Sequence, residues 1–195
     1  MEILVTLGRT LGFSLAAGVN LYATVAVLGL AARYGWVQLP EQFQVFNNPW
    51  VIGVAGALYV IEFVADKIPW VDSIWDSIHT VIRPVGGALI AVAALGEASP
   101  AVMGMIALLG GTVAAGSHMT KAGTRVAINT SPEPFTNWIA SLAEDVFVIG
   151  LSLLTLKFPL LALAVSATIL VMMVWLARRL WKWLRPSSVA ETPSG

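Results

Sequence analysis

Six stretches dominated by apolar residues divide the chain, near 4–33, 49–66, 84–97, 100–128, 138–156 and 158–181. A helix that crosses a bilayer needs about 20 mainly apolar residues, fewer where tilt or neighbouring helices compensate. The pattern predicts an all-α, polytopic membrane helix bundle of about six spans. Turn chemistry marks the joints. Gly35, Pro40 and Asn47-Asn48-Pro49 make 34–49 a loop, and Pro69 and Pro84, followed at once by Gly86-Gly87, bracket 66–83. Ser99-Pro100 opens the fourth span with proline at a first helical position. Ser131-Pro132-Glu133-Pro134 closes its trailing loop, and Lys157-Phe158-Pro159 turns the chain into the last helix. Small residues four apart, such as Gly8 and Gly12 or Gly110 and Ala114, point to tight helix packing.

Polar positions are few and gathered. The segment DKIPWVDSIWDSIHTVIR (66–83) holds Asp66, Lys67, Asp72, Asp76, His79 and Arg83, in a chain with 11 acidic residues, 11 basic ones and two histidines. Asp72, Asp76, His79 and Arg83 follow at i, i+4, i+7 and i+11, one stripe of a helix. Ser73 and Asp76 have the spacing of a capping box. PWVDSIWDSIHTV (69–81) lines up without a gap over PFTNWIASLAEDV (134–146). The alignment sets Asp72 on Asn137, Asp76 on Ser141, His79 on Glu144 and Thr80 on Asp145. It predicts a weak internal repeat with amphipathic or re-entrant segments after Pro69 and Pro134. One reading lays both segments at the membrane surface with polar faces in water. The other makes them halves of a duplicated site, as in transporters built from repeats.

Just upstream of each segment is a second polar set. Glu62 and Asp66 lie one turn apart at the end of the second span, and His118, Lys121 and Arg125 follow at i, i+3 and i+7 toward the end of the fourth, with Asn129 beyond. Glu62 has three apolar neighbours on each side, and a carboxylate in such a span needs a partner. Arg125 and Lys121 are the candidates. The candidate substrate-binding residues are Lys121, Arg125, His118, Arg83 and Asn129, since cationic side chains, and the planar fork of arginine above all, hold anions. The candidate ion- or proton-coupling residues are Glu62, Asp66, Asp72, Asp76, His79, Glu144 and Asp145. Structural ion pairing, with Lys and Arg reaching to the interface, is the plainer alternative. Asp72, Asp76 and His79 also have a metal-ligand spacing on one helix, with no metal assigned.

Composition fits a chain solvated mainly by lipid: 57% of residues are hydrophobic and 11% charged, with a mean hydropathy of +0.81. A soluble domain carries about 25% charge. Cysteine is absent, which excludes disulfides, thiolate metal sites and cysteine nucleophiles. Glu2 in place of a basic leader points to a retained first span rather than a cleaved signal. A net charge of zero argues against a nucleic-acid partner, and no cofactor is expected. Arg178, Arg179, Lys182 and Arg185 interleave with Trp181 and Trp183, an aromatic belt merging into a basic tail. Basic flanks favour the cytoplasm, so with six spans both termini are expected there. Residues 1–185 then form one transmembrane domain, and 186–195 read as a disordered tail.

Three stretches, GVNLYATVAVLGLAARYG, EFVADKIPWVDSIWDSIHTVIRPVGG and KAGTRVAINTSPEPFTNWIASLAED, resemble the bacterial integral membrane family catalogued as domain of unknown function 4126. The resemblance implies an all-helical inner-membrane protein and brings no activity with it. The leading expectation is a small transporter or lipid translocase for an anionic small molecule or lipid, coupled through a carboxylate to a proton or ion. The alternative is a non-catalytic scaffold or accessory subunit, and an intramembrane lipid-acting enzyme comes third. No Gly-x-Ser-x-Gly, His-Glu-x-x-His or phosphate-binding loop is present, so the reading leans away from an enzyme. The bilayer is a partner in every case, and a homo-oligomer stays open.

Overall fold

The computed structural model describes residues 1–37, 41–129 and 134–184. Among them run α1 (Glu2–Val19), α2 (Leu21–Tyr34), a 3-10 helix (Glu41–Asn47), α3 (Pro49–Ala65), α4 (Pro69–Leu95), α5 (Pro100–Asn129), α6 (Pro134–Lys157) and α7 (Pro159–Leu184). Five helices, α1, α4, α5, α6 and α7, are long and apolar enough to cross a membrane alone. The 3-10 helix and α3, bent by 65° at their junction, make a sixth candidate. The all-helical, multi-pass bundle expected from the apolar pattern is the architecture found. The expected tail at 186–195 and the turn at 131–133 lie outside the described residues.

Helix α1 is the centre of the bundle and packs on α4, α5, α6 and α7. From Gly12 to Val19 every residue of it is buried, as expected of a helix surrounded on all sides. Its small residues let neighbours close in. A Cβ added at Gly18 would strike the Ala114 carbonyl of α5, and one at Gly8 the Pro159 carbonyl of α7. Two serines fasten it: Ser117 Oγ donates to the Leu15 carbonyl at 2.8 Å, and Ser14 Oγ to the Gly87 carbonyl at 3.3 Å. Helices α4 and α5 share the largest helix–helix contact. Gly87 and Ala91 on α4 meet Gly110 and Ala114 on α5, the small-residue spacing that lets two backbones approach.

Two expectations about the spans are corrected. The first apolar run is not one helix: Asn20 is extended (φ −147°, ψ 101°) and separates α1 from α2. Its side chain accepts the Ala23 N–H at 2.9 Å, and its carbonyl accepts the Thr24 hydroxyl at 2.8 Å. A break at membrane depth is tolerated when buried protein groups satisfy it in this way. The charged segment bracketed by Pro69 and Pro84 is not separate from the short third span either, but is its first half. Helix α4 starts at Pro69 and continues through Pro84 to Leu95, leaving only 66–68 as a link to α3. Its N-cap, Ile68, makes no side-chain cap bond, and Ser73 Oγ donates back to the Pro69 carbonyl, so the capping box does not form.

Both amphipathic segments turn their polar stripes inward. Asp72, Asp76, His79 and Arg83 are buried, while Trp70, Ile74, Ile78, Val81 and Val85 face out. On α6, Asn137, Ser141 and Asp145 are buried, while Phe135, Trp138, Ile139, Leu142 and Val146 face out. Such a helix cannot lie on the membrane with its polar side in water. An apolar surrounding suits the outer faces, and the reading that turns the polar faces of these segments to water does not hold.

The packing can be tested at the glycines. Gly87→Leu or Gly110→Leu should lower stability by about 1–3 kcal/mol, the usual cost of overpacking. Gly104→Leu, at a position open to its surroundings, should leave the melting temperature in detergent unchanged. Equal melting of all three would sink the close-packed α4–α5 seam.

Candidate functional site

Apart from Lys157 at the far end of α6, four helices place their few charged residues at one end of the bundle: the end of α3, the first half of α4, the second half of α5 and the first half of α6. With a rise of about 1.5 Å per residue, Arg83 lies about 21 Å along α4 from Pro69. A hydrocarbon core is about 30 Å thick, so the charges reach from the linker end to the middle of the bundle.

At the deep end, Arg83 Nη2 meets Glu62 Oε1 at 2.9 Å, and Nη1 lies 3.0 Å from Asp76 Oδ1. The Asp76 contact is an ion pair outside hydrogen-bonding alignment. Arg83 Nη1 also donates to His118 Nδ1 at 2.6 Å. His118 therefore accepts at Nδ1 and turns Nε2 toward the Thr80 hydroxyl, 3.2 Å away. Beside this pair His79 donates from Nδ1 to the Trp75 carbonyl (2.7 Å), which leaves Nε2 to accept from Tyr22 Oη (2.9 Å).

Lys121 joins the deep group to the outer one. Its Nζ lies 3.5 Å from Glu62, 3.0 Å from Asp66 and 3.4 Å from Glu144. One turn on, Arg125 grips Glu144 with one edge of its guanidinium, Nε to Oε1 at 3.0 Å and Nη2 to Oε2 at 2.7 Å. It also meets Asp66 at 3.4 Å, the Asp66 carbonyl at 3.1 Å, and the Asn137 side chain. At the linker end Asn129 donates to Asp72 at 3.0 Å, and Lys67 donates to Ser141 at 3.2 Å and to the Phe63 carbonyl at 2.8 Å. Burial in this link pushes the Lys67 ammonium below the usual lysine value, against the raising pull of Asp145 and Asp66.

All twelve residues singled out from the sequence thus lie in or beside one network, and its wiring differs from expectation. The main partner of Glu62 is Arg83, with Lys121 second, whereas Arg125 serves Asp66 and Glu144. Asp145 is buried without an ion-pair partner among the described residues, and its Oδ2 accepts no hydrogen bond. Tyr22 and Lys67 were not singled out. Nothing in the spacing ties Tyr22 to a histidine 57 positions away. Among the described residues no three His, Asp or Glu side chains converge as metal ligands. The candidate metal spacing of Asp72, Asp76 and His79 therefore belongs to a stripe that points at other charges.

The charge balance is uneven. Glu62, Asp66, Asp72, Asp76, Glu144 and Asp145 face Lys67, Arg83, Lys121 and Arg125, leaving two carboxylates in surplus. Glu62 Oε2, Asp66 Oδ1, Asp72 Oδ1 and both Asp76 oxygens are buried without a hydrogen-bond donor. An unpaired ionised carboxylate away from water is costly, so the cluster reaches neutrality only with further positive charge, as protons or as a cation.

Residues 7–179 match the family described as Domain of unknown function (DUF4126). No curated protein and no solved structure matches the chain.

Removing one member of a buried pair strands the other, at a cost of about 3–5 kcal/mol. Arg125→Gln should destabilise the detergent-solubilised protein by that order, and Arg125→Lys by less. Arg178→Gln, on the exposed end of α7, should unfold like the wild type. An Arg125→Gln protein as stable as wild type would mean that the network is not holding α5 to α6.

Proposed function

This chain belongs to the family of domain of unknown function 4126, and we propose that it acts as a small membrane carrier, a transporter or lipid translocase, that takes up an anionic substrate together with protons. The observation that carries this reading is a network buried among membrane-spanning helices, in which each buried cation is held by carboxylates and carboxylates are in surplus.

The mechanism follows from charge balance. A proton added to Glu62, Asp66 or Glu144 ends that group's service as counter-ion to Arg83, Lys121 or Arg125. A buried cation left without a partner is strongly unfavourable, and a substrate anion restores the pair. Protons and anion therefore favour each other's binding, and by linkage each raises the other's affinity by the same factor. Protons have an inlet. A cavity of about 190 Å³ between α4 and α5 is lined by Ser73, Ser77 and Thr80 and reaches Asp76 and Arg125. Its hydroxyl groups suit water.

The inward stripes of α4 and α6, with Asp72 aligned on Asn137 and Asp76 on Ser141, support two related half-sites. Burial of Asp72 and Asp76 removes them from any docking surface, which favours the carrier over the scaffold. The basic end of α7 (Arg178, Arg179, Lys182) supports a cytoplasmic position, at a bacterial inner membrane, for that end and for the linker end of the network. The start of α1, packed at Gly8 against Pro159, lies at the other end of the bundle, against the expectation of both termini on one side.

Proteoliposomes loaded with a pH dye give the test. Adding one of a panel of phosphates and carboxylates outside should acidify the lumen with wild type and not with Glu62→Gln, and an inward acid gradient should speed anion uptake. Acidification no greater than in protein-free vesicles across the panel, with uptake blind to the gradient, would overturn the reading.

A further inference from the structure

We infer that the substrate is an amphiphile, an anionic headgroup on a hydrocarbon chain, which enters sideways through a groove between α5 and the α1–α6–α7 wall. The inference rests on the carrier reading above and names the class of its substrate. Helix α5 makes little contact with α6 or α7. The space between them is a groove of about 330 Å³, walled by Val19, Phe147, Ile169 and Met173 and closed at its polar end by Lys121 and Glu144. That volume lies at the lower end of the range for ligand pockets, about 300–1,000 Å³. Thr120, Thr124 and Ala143 on its rim are exposed, so the groove opens on the surface that faces lipid.

The Glu144 side chain already shows how a headgroup would be held. Its carboxylate lies across the fork of Arg125 at 2.7 and 3.0 Å and lies 3.4 Å from Lys121 Nζ, the arrangement suited to a carboxylate or phosphate. It is also the most accessible acid in these pairs, with its side chain 19% exposed against 3% for Asp66 and 0% for Glu62. A proton on Glu144 loosens that grip, and the headgroup takes the vacated place with its chain along the apolar wall. The flexible side chain of Met173 adapts to chains of different shape. The fold has another apolar cavity, of about 400 Å³ between α2 and α3, but no charged residue lines it and it offers nothing to a headgroup. Water and substrate would then reach the cations from opposite faces of α5, Arg125 through the hydroxyl-lined cavity and Lys121 through the groove.

Binding to the wild-type protein in nanodiscs is measured with dodecyl phosphate, inorganic phosphate and uncharged dodecyl maltoside, each at acid and alkaline pH. Dodecyl phosphate should bind at least about tenfold more tightly than either control, and more tightly in acid. Ala143→Trp and Thr124→Phe, which narrow the rim, should weaken dodecyl phosphate selectively. In the wild type, a diazirine-bearing alkyl phosphate should label peptides containing Phe147 or Met173. Inorganic phosphate binding as tightly as dodecyl phosphate would overturn the amphiphile and leave a carrier of soluble anions standing. So would label placed elsewhere, together with two rim variants that bind as wild type. Dodecyl maltoside binding as well as dodecyl phosphate would reduce the groove to a place for annular lipid. Binding of neither phosphate at either pH, with proton uptake unaltered in Glu62→Gln, would remove the carrier reading as well.

Discussion

The pair of Arg83 and Glu62 is the constraint on which the bundle's arrangement turns. Both side chains are fully buried, Arg83 midway along α4 and Glu62 in the last turn of α3, where neither ion has water to fall back on. Each must find the other, and Arg83 can do so only if α4 is rotated with its polar stripe toward α3 and α5. That rotation sends Trp70, Ile74, Ile78 and Val81 outward into lipid, which welcomes them. Asp76 and His118 also meet the Arg83 fork, and Lys121 carries the pairing on from Glu62 to Asp66 and Glu144. Four helices are thereby held in one rotational setting.

Apolar packing makes that setting reachable. The Gly87/Ala91 and Gly110/Ala114 seam lets α4 and α5 approach closely, and the same contact brings the polar half of α4 against that of α5. Helix α1 fills the centre with small side chains and few charges of its own. Where apolar packing thins, between α5 and α6, the grip of Arg125 on Glu144 and Asn137 takes over the role of holding helices together. One set of contacts therefore serves both cohesion and charge balance, and the helices that part most easily are those joined by titratable groups.

Much of this was legible beforehand, and the gaps have physical causes. The i, i+4, i+7, i+11 spacing revealed the stripe on α4, and the isolation of Glu62 in an apolar stretch marked it as needing a partner. The direction of the stripe was not legible, because an amphipathic helix has the same pattern whether water or protein takes its polar side. The choice of Arg83 over Arg125 as partner depends on how α4 is turned, which its small-residue seam with α5 helps to set through contacts far apart in sequence. Asn20 escaped notice because one polar residue hardly disturbs a long apolar run. Its capping of Ala23 becomes visible only with the backbone in place.

The break at Asn20 has an electrostatic side. It creates a new helix start inside the protein, and the first turn of α2 lies against the polar stripe, where Tyr22 reaches His79. The exposed peptide N–H groups of a helix start amount to about half a positive charge. Unlike lysine or arginine, that charge brings no side chain to desolvate and can neither gain nor lose a proton. A continuous first helix would have carried its dipole past this level without effect. Interrupted, it sets a fixed partial positive charge beside His79 at the start of α2 and an equal partial negative charge beside α5 at the end of α1, a local dipole that no side chain has to supply.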